Sequence, residues 1–185
     1  MPLTNDTLNR FKNGNIFFET GIGDGDGVQK AINVGFTKII SVEIDNRFII
    51  SSSQRFKEQI KTGQLKIVLG DSNVIMGQLL EEIKEPATFW FDAHWDLGPV
   101  KGVKTSPLYD ELTYLKNHPI KNNTILIDDI RCFHQGHHWG KDINVNNLIT
   151  LIKEINSNYK IEYTDGDLGP SGGGIVKNDI LVATI

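Results

Sequence analysis

Acidic residues in this 185-residue chain gather at the ends of apolar runs rather than within them. Glu19 follows Ile16-Phe17-Phe18, Glu43 and Asp45 close the run from Lys38, and Asp71 stands just past Leu65–Leu69. Asp92 ends the run from Thr88, and Asp128-Asp129 follow Thr124–Ile127. Carboxylates collected at one cleft repel each other unless a cation or ligand sits among them. Asp92, Asp128 and Asp129, on two neighbouring strand ends, would supply oxygen ligands to a hard divalent cation such as Mg²⁺, with water or substrate oxygens completing an octahedron. For Asp71, which precedes Ser72, a helix cap is an equally natural role.

The turn after the first run, Glu19 to Gly27, carries glycine at 21, 23, 25 and 27. Glycine admits left-handed backbone angles and lets a ligand approach without meeting a Cβ. Glu43 and Asp45 lie about twenty residues on, where a carboxylate can accept both hydroxyls of a ribose. A dinucleotide fingerprint, Gly-x-Gly-x-x-Gly, does not fit. Counted from Gly21 its last position falls on Asp26, and counted from Gly23 on Val28. An acid there would also repel a pyrophosphate.

The elements that position these residues alternate. Thr4–Lys12 reads as a short helix, followed by a strand at Ile16–Phe18, a helix over Asp26–Val34 and a strand over Lys38–Asp45. A helix over Asn46–Lys61 would bury Phe48, Ile49, Phe56 and Ile60. A strand at Leu65–Leu69 and a helix bearing Val74, Ile75, Leu79, Leu80 and Ile83 come next. Strand Thr88–Asp92, helix Pro107–His118, strand Thr124–Ile127 and a helix with Leu148, Leu151, Ile152 and Ile155 on one face continue the pattern. Strands Lys160–Thr164 and Asp179–Ile185 close the chain around a glycine-rich stretch at Gly166–Gly174. Continuous apolar runs separated by helices predict an α/β domain with a parallel, doubly wound sheet and right-handed crossovers.

The pattern Glu-x-Gly-x-Gly-x-Gly from Glu19 resembles the first motif of class I S-adenosylmethionine (SAM)-dependent methyltransferases. That resemblance implies a single Rossmann-like domain over residues 1–185, with a mostly parallel seven-stranded sheet, helices on both faces and an antiparallel last strand. It implies SAM as cofactor, held by Glu19, Gly21, Gly23, Gly25, Glu43, Asp71 and Asp92. The segment Phe91-Asp92-Ala93-His94-Trp95-Asp96 with Asp128-Asp129 is similar to catechol O-methyltransferase and related metal-dependent small-molecule enzymes. By position, Asp92, Asp128 and Asp129 carry over as metal ligands. Two features depart from that family. Asp96 stands about where a general-base lysine would fall, leaving His94 with Asp92 as the catalytic candidates and Lys101 or Lys104 behind them. Only about a dozen residues precede the first strand, where those enzymes carry helices over the substrate. The reading that follows is methyl transfer to a small molecule, at oxygen, with Mg²⁺. A SAM-binding or SAM-degrading protein without transfer is the alternative, and a nicotinamide oxidoreductase a weaker one.

The loop Cys132–Asp142 is long for a strand-to-helix connection and reads as a lid over the acceptor site. Its histidines, at 134, 137 and 138, lack the four spaced ligands of a structural zinc site. Trp95 and Trp139 follow strand ends and are candidates to stack on adenine or substrate, whereas Phe89 and Trp90 belong to the core. A net charge of −4 and no basic stripe argue against nucleic acid as partner. No apolar run approaches the roughly twenty residues of a membrane span. One cysteine, Cys132, excludes an internal disulfide. The expectation is a soluble cytoplasmic protein with a small-molecule acceptor; a homo-oligomer is compatible with it.

Overall fold

The computed structural model describes residues 2–95, 97–133 and 137–185. In chain order its elements are α1 (Asn5–Arg10), β1 (Ile16–Thr20), α2 (Asp26–Asn33), β2 (Lys38–Glu43), α3 (Asn46–Arg55), α4 (Lys57–Lys61) and β3 (Leu65–Leu69). They continue with α5 (Ser72–Leu80), β4 (Ala87–Phe91), α6 (Leu108–Asn117), β5 (Thr124–Ile127) and a 3-10 turn at Ile130–Cys132. The last are α7 (Val145–Ile155), β6 (Lys160–Asp167), α8 (Gly169–Gly172) and β7 (Ile175–Thr184). The seven strands form one sheet in the order β3-β2-β1-β4-β5-β7-β6. Strands β1 to β5 pair in parallel, and β7 runs antiparallel between β5 and β6. The parallel part is what the alternation of runs predicts, and the antiparallel last strand in a seven-stranded sheet is what the resemblance implied.

The strands are apolar throughout because both faces are covered. Phe18, Ile40, Phe89, Phe91 and Ile125 point to the side where α5, α6 and α7 pack through Met76, Leu112 and Leu148. Phe17, Ile39, Trp90, Leu126 and Val182 point to the other, against Leu8 of α1 and Val28 and Ala31 of α2. Helix starts follow their caps. Thr4 accepts from Thr7 N at 3.0 Å, Asp45 from Arg47 N at 2.9 Å and Asp71 from Asn73 N at 2.9 Å. Among the described residues no helix is long and apolar enough to cross a membrane.

Two expectations are corrected. The helix expected over Asn46–Lys61 breaks at Phe56, whose backbone (φ −110°, ψ 29°) leaves the helical region. The break turns the Phe56 ring into the core, 2% exposed, and leaves Ile60, expected on the buried side, 38% exposed. The two final strands extend past their expected limits, to Asp167 and back from Ile175, as a hairpin closed by α8. Much of that extension is exposed, so no apolar alternation marks it.

Gly25 fixes the break at Phe56. It precedes α2 at φ 84°, and a Cβ there would stand 2.5 Å from the Phe56 ring. Replacing Gly25 by Val should lower stability by roughly 2–4 kcal/mol, from left-handed strain plus overpacking. Gly63, at φ 77° with nothing within 4 Å, meets only the backbone penalty. Gly63→Ala should therefore lose about 1–2 kcal/mol. Urea unfolding at constant m-value distinguishes the two.

Candidate functional site

Parallel pairing ends β1, β2, β4 and β5 at one level. The ladder runs one residue further through Gly21 N to Val42 O (2.9 Å), Asp92 N to Thr20 O (3.2 Å) and Asp128 N to Phe91 O (3.1 Å). Beyond that edge lies a cleft of about 450 Å³ lined by Gly21, Gly23, Glu43, Asp71, Asp92 and His94. Gly21, at φ 84°, lets the turn pass so close to β4 that a Cβ would lie 2.8 Å from the Asp92 carbonyl oxygen. Gly23, at φ 49°, has nothing within 4 Å, so its face opens on the cleft. Glu43 closes the turn by accepting from Gly23 N (3.2 Å) and Asp45 N (2.7 Å).

The opposite wall comes from the segment 97–105. Asp71 holds it: one oxygen caps α5, and the other accepts from Val103 N at 2.7 Å. Trp95 N donates to Thr105 O (2.7 Å) and its indole to Gly98 O (2.8 Å), while Lys101 lies 4.7 Å from its ring centroid. Gly98, Val100, Lys104 and Thr105 thereby face the cleft. Asp96 lies outside the described residues.

Two residues expected at the cofactor do not line the cleft. Gly25 is turned against Phe56, as above. Glu19 is fully buried in β1, where Ser41 Oγ donates to one oxygen at 2.6 Å and the other has no partner among the described residues. Burial, helped by Asp92 and Glu43 and opposed by Ser41, pushes its carboxyl up to about 8.

The three aspartates expected to share a cation are divided. Ligand atoms of Asp92, His94 and Asp129 lie within 4.8 Å of one another, whereas Asp128 groups with Asp129 and Asp179. Asp129 takes a left-handed conformation (φ 58°), tolerated by Asp better than by most residues. Its other contact is Arg131, at 2.6 Å, which also pairs with Asp179. His94 Nδ1 lies 3.9 Å from Asp92 and 3.8 Å from Asp129. Asp128 accepts from Asp129 N at 2.6 Å, and its second oxygen is buried without a hydrogen-bond partner among the described residues. Burial first, then the Asp129 charge, pushes Asp92 up to about 8. Burial and the Asp92 and Asp129 charges hold Asp128 well above the usual carboxylate range.

Trp139 covers this cluster. It is 4% exposed and stacks on His94 with ring centroids 4.0 Å apart and planes 19° apart. His138 bonds the Trp95 carbonyl at 3.0 Å. No metal-capable group among the described residues includes His137 or His138, and His134 lies outside those residues.

Sequence reasoning passed over Glu111. It sits in the first turn of α6, fully buried, and neither oxygen makes a hydrogen bond of good geometry among the described residues. Burial lifts it to about 7, with the Ser72 and Thr20 hydroxyls alongside pulling the other way. A signal was present. Leu108, Glu111, Leu112 and Leu115 occupy i, i+3, i+4 and i+7, so the acid falls on the apolar stripe. The pairing of Arg131 with Asp179 joins distant segments and had no local signal.

No protein-family model matches the chain, and no curated protein sequence matches it. Solved structures do. SMU.1697c from Streptococcus mutans, in complex with SAH, aligns at TM-score 0.63 and 11% identity over 97% of this chain and 94% of that one. The O-methyltransferase TomG from Streptomyces achromogenes, in complex with SAM, aligns at 0.61 and 13% over 98% and 77%. An rRNA methylase from Streptococcus thermophilus aligns at 0.61 and 10% over 97% and 92%. At such identities the likeness is one of fold.

The buried acids set a pH dependence. Above pH 4.5 an unfolded Glu19 has released its proton, whereas the folded one keeps it to about 8. The folded state then binds more protons, so stability falls as pH rises through that window and levels off above it. Each fully coupled acid contributes up to about 1.4 kcal/mol per pH unit. Urea midpoints without added divalent cation should decline from pH 5 to 8, and Glu19→Gln should flatten the decline.

Proposed function

We propose that the chain is a SAM-dependent methyltransferase that acts on a small molecule at an oxygen atom. The carrying observation is Gly23: the turn after β1 lines the cleft and holds open space where a Cβ would stand. The cleft volume falls in the range of cofactor pockets. Its anionic rim suits a ligand bearing a sulfonium and an ammonium and opposes a pyrophosphate. Solved relatives of the fold that carry SAM or SAH support the same cofactor.

Glu43 would accept the ribose hydroxyls, and the Gly21–Gly23 backbone would lie against the ligand. SAM supplies a methyl already made electrophilic by its sulfonium. What the protein adds is alignment of the attacking atom in line with it, and exclusion of water by the segment 97–105 and Trp139. His94, held between Asp92 and Asp129, is placed to take the proton of an acceptor hydroxyl. With a divalent cation on Asp92, His94 and Asp129, the imidazole would be a ligand rather than the base; it would favour an ion softer than Mg²⁺, and that cation would itself lower the pKa of the hydroxyl. In this reading His94 replaces Asp128 in the metal set. The acidic cleft and net charge of −4 favour a small-molecule acceptor over nucleic acid.

Calorimetry should show binding of SAM and SAH and none of NAD. Gly23→Ala should weaken SAM at least tenfold, about 1.4 kcal/mol, beyond the loss of about 1–2 kcal/mol in unliganded stability that its left-handed backbone imposes, as at Gly63. Tight NAD binding without SAM binding would sink the reading. With Mn²⁺ as a paramagnetic probe, bound-metal signal should disappear in both Asp129→Asn and His94→Ala; retention in either removes the metal from the proposal. Hydrogen exchange bears on the lid. The amides of 137–142 should exchange faster than those of β5 without SAH, and equal protection with and without SAH counts against a closing lid.

A further inference from the structure

Beside the cleft lies a second, smaller space that shares Asp92, Ala93 and His94 with it as lining residues. Its volume of about 10 Å³ holds one water-sized group. Its lining includes the acids Asp92, Glu111, Asp128 and Asp129 together with the rings of Phe91, Phe133 and Trp139. We propose that the methyl acceptor carries a primary ammonium group and that this chamber receives it. The proposal rests on the methyltransferase reading of the adjoining cleft.

The chamber's acids are short of donors. Glu111 is 0% exposed, with the Ser72 and Thr20 hydroxyls alongside but no bond of good geometry to either oxygen among the described residues; Asp128, 3% exposed, leaves one oxygen unpaired among them. Leaving buried acceptors unsatisfied costs about 1–3 kcal/mol each, so the arrangement calls for an occupant. Arg131, the guanidinium nearest the cluster, is held by Asp129 and Asp179. A water or hydroxyl would bring at most two donors and no charge, whereas an ammonium brings three donors and one positive charge. Mg²⁺ keeps several of its waters in an octahedron, for which a one-water space walled by aromatic rings has no room. The Phe133 and Trp139 rings that exclude a hydrated metal attract a desolvated organic cation. A compact cation is thus the shared chemistry, and the walls select ammonium.

Thermal unfolding at pH 8 tests this with ammonium chloride as the probe, against potassium, tetramethylammonium and magnesium chlorides at matched ionic strength. Ammonium should raise the melting temperature saturably above potassium, and tetramethylammonium should not. Glu111→Gln and Asp128→Asn should each remove that increment while preserving the shift produced by SAH. The two variants act on different elements, so failure of one to fold leaves the other decisive. Three results would overturn the proposal. One is no increment for ammonium over potassium. Another is a magnesium increment that Glu111→Gln abolishes, which would make the chamber a metal site. The third is an ammonium shift with no SAH shift in the wild type. That would leave a cation site with no methyl donor beside it, and so refute the cofactor reading rather than the chamber.

Discussion

A carboxylate removed from water must be protonated, hydrogen-bonded or given a cation, and this fold removes several of them at one edge. Glu19, Asp92, Glu111, Asp128 and Asp129 are all buried or nearly so around the ends of β1, β4 and β5. The convergence follows from parallel pairing, which sends every carboxyl-terminal strand end to the same side. An antiparallel sheet would have divided the same residues between two edges. Only β7 is antiparallel here, and through Asp179 it delivers the partner that draws Arg131 down beside Asp129. One guanidinium cannot neutralise the whole cluster, so protons and ligands must supply the rest.

The fold was legible because the strands had to be apolar on both faces. Ile16–Phe18, Thr88–Phe91 and Thr124–Ile127 show no alternation, and between them run helices whose caps, Thr4, Asp45 and Asp71, name their own starts. The break at Phe56 was not legible because no proline or glycine marks it. It arises from a tertiary contact, the ring fitting against a glycine thirty-one positions earlier in the chain. The outer end of the β6–β7 hairpin, 165–167 with 175–178, was missed for the opposite reason. Its residues are mostly exposed or half-exposed, and hydrophobic periodicity cannot report a stretch that buries little.

The site was legible as a list of acids and less so as an arrangement. Strand ends locate carboxylates to within a residue, but they do not say which way a side chain turns. Asp128 and Asp129 are adjacent, and with a left-handed backbone at Asp129 their side chains fall into different metal-capable groups: Asp129 with His94 and Asp92, Asp128 with Asp129 and Asp179. Glu111 was hidden by habit of reading, since an acid in the first turn of a helix ordinarily favours the dipole and solvent. Its place on the Leu108–Leu115 stripe was the contrary signal.

The two spaces share Asp92, Ala93 and His94, and that sharing constrains how they can work together. Asp92 faces the cleft on one side and the chamber on the other, so a positive charge arriving on either side favours its ionised form. The first cation to bind makes the shared wall more anionic, which assists the second; the two positive charges then repel each other across a few ångströms. Which effect dominates depends on how many protons the cluster holds at the start. At low pH the first ligand mainly displaces protons. At high pH the carboxylates already repel one another, and each added cation relieves that repulsion directly. Because Asp92 belongs to both linings, a positive charge placed in either space would act on a carboxylate that the other also meets.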